Sequence, residues 1–303
     1  MLKISKFYVT LVVFISFSIF LIGCKKKMDA DAEKVVISVK GSDTMVNLSQ
    51  KWAEEYMNEN KNVSIQVTGG GSGTGIASLL NGTVNLANAS REMKEIEIQK
   101  AKQNNINPIQ FKVAMDGISV IVHKENKVDS LTMQQIADIY TGKTKNWKDV
   151  GGANLPITLY GRENSSGTYE FFKEHVLSKK DFATSTQVLQ GTAALGEAVA
   201  RDTKGIGYGG VGYFALRNDV KIIKVKKDEK SPAVSPIKIV DGKHQVNYEV
   251  IWNKDYSISR YLYCYTNGEP KGEIKNFIDF IVNPDKGQKS VETMEYIPLP
   301  KTL

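Results

Sequence analysis

The sequence of 303 residues is poor in the two side chains that most often bind metals or cross-link a chain. It has two cysteines, Cys24 and Cys264, which are too few for a disulfide framework, so packed apolar cores must stabilise the fold. Its three histidines, His123, His175 and His244, lie far apart, and no paired-cysteine motif accompanies them. We therefore predict no metal site and no cofactor.

Motifs of nucleotide-binding and hydrolytic enzymes are also missing. The glycine-rich segment 69–75 lacks the Lys-Ser/Thr pair that ends a P-loop. Segment 205–210 matches GxGxxG, but no acidic residue follows at a distance suited to a ribose, so we predict a glycine-rich strand or turn there. Neither Ser72 nor Ser166 lies in a G-x-S-x-G elbow with a histidine base. These absences predict a protein that is not an enzyme.

The N-terminus has the form of a secretory signal. Lys3 and Lys6 precede an apolar run over residues 7–22, which is shorter than the ~20 residues of a membrane-spanning helix. The run ends in Leu-Ile-Gly directly before Cys24, and this arrangement resembles the lipobox of bacterial lipoproteins. We predict a signal peptide over residues 1–23, export, and a lipid on Cys24, which leaves Cys264 without a disulfide partner.

A short uncleaved membrane anchor is the alternative for this region, with the lysines at 25–27 as a stop-transfer cluster. In either case the body of the protein is exported and held at a membrane. Residues 24–34 are charged and lack an apolar period, which predicts a flexible tether. Removal of residues 1–23, which hold two lysines and no acid, lowers the formal net charge from +7 to +5. This mildly basic balance fits an anionic ligand or an anionic membrane surface.

After the tether, the chain repeats a strand, a turn and a helix. The apolar segments 35–39, 63–68 and 156–160 predict strands, and residues at helical spacing follow each of them. Further apolar segments predict a strand at 118–122 and helices at 131–140 and 274–281. Alternating strands and helices predict an α/β fold, and a chain of this length corresponds to about two domains of roughly 100–200 residues.

Three of the turns share one design, since each places Gly, Ser and Thr residues at the start of a helix, at 41–44, 69–75 and 162–168. The first N–H groups of a helix have no partner within the helix and carry the positive end of its dipole, so an oxyanion placed there meets several donors. Ordinary N-caps that bind nothing use the same residue types. The third turn adds the guanidinium of Arg162, which favours an anion.

Seven strings in these segments carry a family resemblance. They are GSDTM, GGGSGTG, NASREMK, LTMQQIADIYTGKTKNWKDVGG, GRENSSGTY, GIGYGGVGY and EYIPLP. In this order, and over nearly all of the mature chain, they resemble the PstS family, the phosphate-binding proteins of bacterial phosphate ABC importers. The resemblance implies the bilobed fold of type II periplasmic binding proteins, in which each lobe is a mixed sheet flanked by helices and two crossing strands join the lobes.

The resemblance also implies lobe boundaries and ligand contacts. The first lobe takes residues 35–114 and 257–303, and the second takes residues 115–256. The implied ligand contacts are Thr44 with the N–H of Met45, Ser72 in the glycine loop and, in the second lobe, Arg162, Ser166, Gly167 and Thr168, and Gly73 is a further candidate contact.

One position departs from the family pattern. In the best-known members an aspartate accepts the proton of hydrogen phosphate, and here Ser90 stands in its place, followed by Arg91. Ser90 can donate or accept a hydrogen bond, but it cannot repel sulfate as a carboxylate does. Arg91 either contacts the ligand or braces the lobe. We hypothesise that Asp116 or Asp43 supplies the missing acceptor.

A second departure concerns Arg162. The family's arginine often has an aspartate partner two residues on, where this chain has Asn164, so we expect Arg162 to be electrostatically freer.

The sequence thus predicts a lipid-anchored, monomeric, extracytoplasmic binding protein. It captures inorganic phosphate for the permease of an ABC importer, and nucleic acid is not among its predicted partners. The alternatives are another tetrahedral oxyanion such as sulfate, molybdate or tungstate, a phosphate-ester hydrolase, and a surface phosphate sensor on the same fold.

Overall fold

A computed structural model of the chain describes residues 34–300. The predicted signal peptide, most of the tether and the lipid attachment at Cys24 lie outside these residues. Between residues 34 and 300, no helix is both long enough and apolar enough to span a bilayer.

Thirteen strands and ten α-helices make up this described part. The strands are β1 (Val35–Gly41), β2 (Val63–Thr68), β3 (Leu86–Ala89), β4 (Pro108–His123), β5 (Ser130–Thr132), β6 (Thr158–Arg162), β7 (Gln187–Leu189), β8 (Gly205–Gly210), β9 (Val220–Lys226), β10 (Ala233–Val234), β11 (Ile237–Val240), β12 (Lys243–Val246) and β13 (Ser259–Asn267). The helices are α1 (Val46–Glu59), α2 (Ser72–Leu80), α3 (Glu95–Gln103), α4 (Met133–Tyr140), α5 (Gly167–His175), α6 (Gly191–Arg201), α7 (Val211–Phe214), α8 (Tyr248–Trp252), α9 (Gly272–Val282) and α10 (Gly287–Thr293). Two 3-10 turns cover Asp43–Met45 and Trp147–Val150.

The predicted strand-turn-helix units are confirmed, with shifted ends. Helix α2 begins at Ser72, within the glycine-rich segment 69–75, because Gly71 takes φ +88° at its N-cap and turns the loop directly into the helix. Strand β6 begins at Thr158 rather than Pro156, since proline has no N–H to donate to a strand ladder. Strand β4 is much longer than the predicted 118–122.

Segment 205–210 forms the buried strand β8, as predicted, and its glycines serve packing. A Cβ on Gly207 would lie 2.5 Å from Leu195 Cδ2 and 2.8 Å from Val199 Cγ2, both on α6. The glycine therefore lets α6 approach the strand closely.

Strand β4 connects the two halves of the molecule. Its first part, residues 108–117, pairs with β13, and its last part, residues 118–123, pairs with β8 and β9. The hydrogen-bonded strand order is β2-β1-β3-β13-β4-β8-β6-β7, in which β2, β1 and β3 are parallel and β13 runs antiparallel to β3 and β4. The sheets of both halves are thus mixed, and β4 and β13 are the predicted crossing strands.

The apolar cores separate into two lobes. In the first lobe, buried residues between Ile37 and Ala114 pack with residues between Leu262 and Tyr296. In the second lobe, the cores draw on residues between Met115 and Ile258, with Ile297 as an addition from the C-terminal segment. The lobe boundaries inferred from the family resemblance stay a prediction. The separation of the apolar cores is the structural observation that supports them.

Candidate oxyanion-binding site

The ends of four strands place the predicted site residues side by side. Strand β1 leads into the 3-10 turn with Thr44, β2 into the glycine loop and Ser72, β3 into Ser90, and β6 into the turn before α5. Strands β1 and β3 end close together because Gly41 has no side chain, since a Cβ there would lie 2.1 Å from the carbonyl oxygen of Asn88.

The glycine loop of the first lobe lies against the Ser165–Gly167 turn of the second lobe. The N–H of Gly73 donates to the carbonyl oxygen of Ser165 at 2.9 Å. A Cβ on Gly71 would lie 2.5 Å from that same oxygen, and one on Gly167 would lie 2.3 Å from Ser72 Oγ and 2.6 Å from Ser90 Oγ. Glycine at these positions therefore allows the N-termini of α2 and α5 to meet.

Two hydroxyl pairs lie where the lobes meet. Thr44 Oγ1 and Thr168 Oγ1, from opposite lobes, are 2.9 Å apart. Ser72 Oγ and Ser90 Oγ are 3.3 Å apart, and the N–H of Ser90 donates to Ser72 Oγ at 3.0 Å. All four side chains are almost completely buried. The structure thus brings together four of the predicted ligand contacts.

Two other predicted contacts are engaged by local hydrogen bonds. The N–H of Met45 donates to the carbonyl oxygen of Ser42 at 2.9 Å, and the Met45 side chain belongs to the first-lobe core. Ser166 Oγ accepts a hydrogen bond from the N–H of Tyr169 at 3.2 Å, as the N-cap of α5. Their role as ligand contacts stays a prediction.

Arg162 is buried and held by two carboxylates. Its Nε and Nη2 donate to Glu163 at 3.0 and 2.9 Å, Nη2 also donates to Asp43 Oδ2 at 3.0 Å, and Nη1 donates to Thr192 Oγ1 at 2.8 Å. The expectation that Asn164 leaves Arg162 electrostatically freer is wrong, because Glu163 and Asp43 take the place of the missing aspartate. Asp43 joins the lobes through this ion pair.

Both oxygens of Asp43 have partners, since Oδ1 accepts from the N–H of Gly70 at 2.8 Å and Oδ2 accepts from Arg162. Burial raises the pKa of Asp43, while the Gly70 N–H and Arg162 act in the opposite direction. Of the two acceptors hypothesised from the sequence, Asp43 thus already accepts a protein donor at each of its oxygens.

Arg91 makes bracing contacts. Its Nη1 and Nη2 donate to the two oxygens of Glu97 at 2.8 Å each, and Nη1 also donates to the carbonyl oxygen of Glu92 at 2.8 Å. The adjacent Lys94 forms an ion pair with Glu170 of α5 at 2.8 Å. Of the two interpretations of Arg91, these contacts are those of a residue that braces the first lobe.

Asp116 lies on β4, directly across from Arg260 on β13, and the two form a buried ion pair. Arg260 Nε and Nη2 donate to Asp116 Oδ2 at 3.2 and 2.8 Å. Burial raises the pKa of the Asp116 carboxyl, against the opposing effect of Arg260. Burial also lowers the pKa of Arg260, although a guanidinium stays protonated in proteins.

Arg260 was missed by the sequence analysis. Its only local signal is a charged residue inside an otherwise apolar and aromatic strand, RYLYCY, where a buried charge needs a partner. That partner is distant in the sequence. Arg260 also borders a cleft of about 610 Å³ between the lobes, together with Arg91, Phe171, Tyr261 and Tyr263.

Comparison with known proteins identifies the family. A family model described as the PBP superfamily domain matches residues 29–285. The Pseudomonas aeruginosa phosphate-binding protein PstS is 35% identical over an alignment of 281 positions that covers 87% of this chain and 83% of that protein. The chain belongs to the PstS family. The PstS of Staphylococcus saprophyticus is 34% identical over 94% of this chain and 87% of its own.

Solved structures of similar proteins have the same fold. A Clostridium perfringens protein, described as a phosphate ABC transporter substrate-binding protein and solved with bound phosphate, is 31% identical with a TM-score of 0.75, and the match covers 88% of this chain and all of that one. A Vibrio cholerae ABC-type phosphate transport receptor is 27% identical with a TM-score of 0.68, and the match covers 87% of this chain and all of that one. The predicted two-lobed periplasmic-binding-protein fold is confirmed.

Proposed function

We propose that this protein captures inorganic phosphate between its two lobes, outside the cytoplasm, and delivers it to the permease of an ABC importer. The observation that carries the proposal is the meeting of Thr44, Ser72, Ser90 and Thr168 from opposite lobes, at the starts of two helices. The named relatives, which are phosphate-binding proteins, support phosphate as the anion.

These groups bind a tetrahedral anion by replacing its hydration shell. The hydroxyl groups supply donors that rotate toward the ligand, and the first N–H groups of α2 and α5 add donors at the positive ends of two helix dipoles. The guanidinium of Arg162 lies at the edge of the group, and since two carboxylates balance its charge, it contributes a donor at Nη1 rather than net positive charge. Its two acidic partners hold it in position.

Capture requires the lobes to separate and close again, because the hydroxyl pairs are buried. The contacts that join the lobes and must break include those of Gly73 with Ser165, Thr44 with Thr168, Asp43 with Arg162, and Lys94 with Glu170. The cleft beside Arg260 is the side from which we propose that the anion enters. Closure then excludes water, which strengthens each charge-assisted hydrogen bond.

The lipid on Cys24, the export signal and the permease belong to the same proposal. They are supported by the sequence of residues 1–24 and by the transporter description of the Clostridium perfringens relative. Incorporation of labelled palmitate into the wild type, and its loss in Cys24→Ser, tests the lipid. Co-purification with permease subunits, absent in a variant that cannot close, tests delivery.

Isothermal titration of the full-length protein in detergent with phosphate, sulfate, molybdate and tungstate tests the ligand. Saturable binding of one phosphate per protein molecule supports the proposal. Tighter binding of sulfate or molybdate would instead identify that anion as the cargo. Turnover of a chromogenic phosphate ester by the pure protein would instead support a hydrolase.

A further inference from the structure

Arg260 contacts the hydroxyl pair that joins the lobes. Its Nη2 donates to Thr168 Oγ1 at 2.9 Å and lies 3.5 Å from Thr44 Oγ1, while the same nitrogen and Nε are held by Asp116. Thr44 comes from the first lobe, Thr168 from the second, and Arg260 from a strand that crosses between them. One guanidinium thus touches both sides of the candidate site.

Counting hydrogens at this pair shows what the contact does. Two hydroxyl groups carry two hydrogens, and one of these is used in the Thr44–Thr168 hydrogen bond. Arg260 can only donate, so it occupies acceptor lone pairs and never a hydrogen of the pair. The pair is left with one free O–H and reduced capacity to accept.

We infer that Arg260, anchored on Asp116, is a specificity-determining positioning residue of the candidate oxyanion site. By occupying lone pairs of Thr44 and Thr168, it turns the remaining hydroxyl hydrogen of that pair toward the anion. The site therefore recognises an unprotonated oxygen of the ligand at this point. The inference rests on the proposed function, because it assigns one residue's role in the binding of the same anion.

The second hydroxyl pair, Ser72 and Ser90, has a different capacity, because no arginine between residues 34 and 300 forms a hydrogen bond with it. Ser72 Oγ accepts from the Ser90 N–H, and one hydrogen is shared between the two hydroxyls, so Ser90 keeps lone pairs that can accept the proton of hydrogen phosphate. The two hydroxyl pairs thus differ in their hydrogen-bonding capacity. The pair beside Arg260 donates, and the serine pair donates or accepts.

The surroundings of Arg260 match a positioning role. Its side chain is 3% exposed, its Cζ lies 5.3 Å from the ring centroid of Phe171 on α5, and Nη1 has no hydrogen-bond partner among the described residues. A buried guanidinium nitrogen without a partner is costly. If the Asp116–Arg260 ion pair only stabilised the fold, Arg260 would not need to contact both Thr44 and Thr168.

The test compares phosphate binding in Arg260→Gln, Thr168→Val and the double variant of the full-length protein. We expect Arg260→Gln to weaken binding by about 10- to 100-fold, which is the range for a charge-assisted hydrogen bond. Arg260 acts through the hydroxyl pair, and Thr168→Val removes one of the two hydroxyls. In the Thr168→Val background, Arg260→Gln should therefore change the binding free energy by less than about a third of the change that it causes in the wild type. Arg260→Lys, which keeps the charge, should fall between the wild type and Arg260→Gln.

Arg217→Gln is the matched control, since Arg217 also pairs with carboxylates, those of Glu197 and Asp219, but lies outside the site. The inference is overturned if Arg260→Gln stays within threefold of this control, or if the effects of Arg260→Gln and Thr168→Val simply multiply. A wild type that binds no phosphate would instead overturn the proposed function.

Arg260→Gln leaves Asp116 as an unpaired buried charge, which can prevent folding. The double variant Asp116→Asn with Arg260→Gln removes that charge and keeps an amide pair of similar shape. If it melts near the wild-type temperature and binds phosphate as well as the wild type does, Arg260 has no role in positioning. Folding with weakened binding supports the role.

Discussion

Gly167, at the first position of α5, lies against Ser72 of the opposite lobe so closely that a Cβ on it would stand 2.3 Å from Ser72 Oγ. Contact between the lobes is therefore sensitive to a single methyl group. We expect Gly167→Ala to hold the lobes apart and to weaken phosphate binding by at least 100-fold, because the donors of α2 and α5 can no longer surround one anion. Isothermal titration measures the affinity, and small-angle scattering measures the compaction that phosphate causes.

The control for this change is Gly191→Ala, at the first position of α6. Apart from its own helix and chain neighbours, no atom of residues 34–300 lies within 4 Å of the position that its Cβ would take, although its φ of +78° makes the substitution strained. It should lower the melting temperature and leave phosphate affinity unchanged. Wild-type affinity in Gly167→Ala would contradict the tight contact.

We predict that Ser90 determines how well the proposed site separates phosphate from sulfate. A carboxylate at this position accepts the proton of hydrogen phosphate but faces fully ionised sulfate without a hydrogen to share. We expect Ser90→Asp to raise the ratio of phosphate to sulfate affinity by about tenfold or more, from the cost of an unsatisfied buried acceptor. Competition titration with both anions measures the ratio, with Ser90→Asn as the uncharged control. An unchanged ratio would mean that another group recognises the ligand proton.

Arg91 is expected to contribute to stability more than to affinity. Because both of its terminal nitrogens are used by Glu97, Arg91→Gln should lower the free energy of unfolding by about 1.5–3 kcal/mol, the range for a hydrogen bond to a charged group. Phosphate affinity should change less than threefold. Urea unfolding and titration of the same samples separate the two effects, and Glu97→Gln should reproduce the loss of stability. A tenfold loss of affinity at unchanged stability would make Arg91 a ligand contact.

Cys264 should be chemically silent in the folded protein. Its thiol is buried on β13, donates to Asn88 Oδ1 at 3.1 Å, and burial raises its pKa to about 12. Between about pH 9 and pH 12 the unfolded state is deprotonated at this position and the folded state is not, so this group's contribution to stability falls as the pH rises through that range. We expect Cys24→Ser, which retains only this thiol, to react with a disulfide reagent at pH 8 only after unfolding. Fast labelling of the native protein would contradict the burial.

Local patterns predicted the strand-turn-helix units well. The apolar run at residues 63–68 corresponds to β2 without a shift, because β-branched residues and a following glycine loop define both ends. The start of α2 could not be placed as well, since it depends on the positive φ of Gly71, which the sequence allows but does not specify.

Side-chain contacts between residues distant in the sequence could not be predicted from local patterns. Arg260 meets Asp116 only through the register of β13 on β4, and Arg162 meets Asp43 only where the lobes touch. Such contacts depend on the assembled tertiary structure, so neither the charge nor the spacing of these residues in the sequence reveals them. The position of the candidate site residues at strand ends could thus be predicted from the sequence, whereas their charged partners could not.

Strand β4 passes from one lobe to the other without interruption, and the Asp116–Arg260 pair lies where it changes partners from β13 to β8 and β9. A group near the axis of a rotation travels little, whereas groups far from it travel far. We therefore expect the Asp116–Arg260 ion pair to stay intact while the lobes are open, although Thr44 and Thr168 are then separated. An arriving anion would then meet a guanidinium that is already in place. Slow hydrogen exchange at Arg260 Nε in the ligand-free protein, observed by NMR, would show that this guanidinium is held by Asp116 before the anion binds.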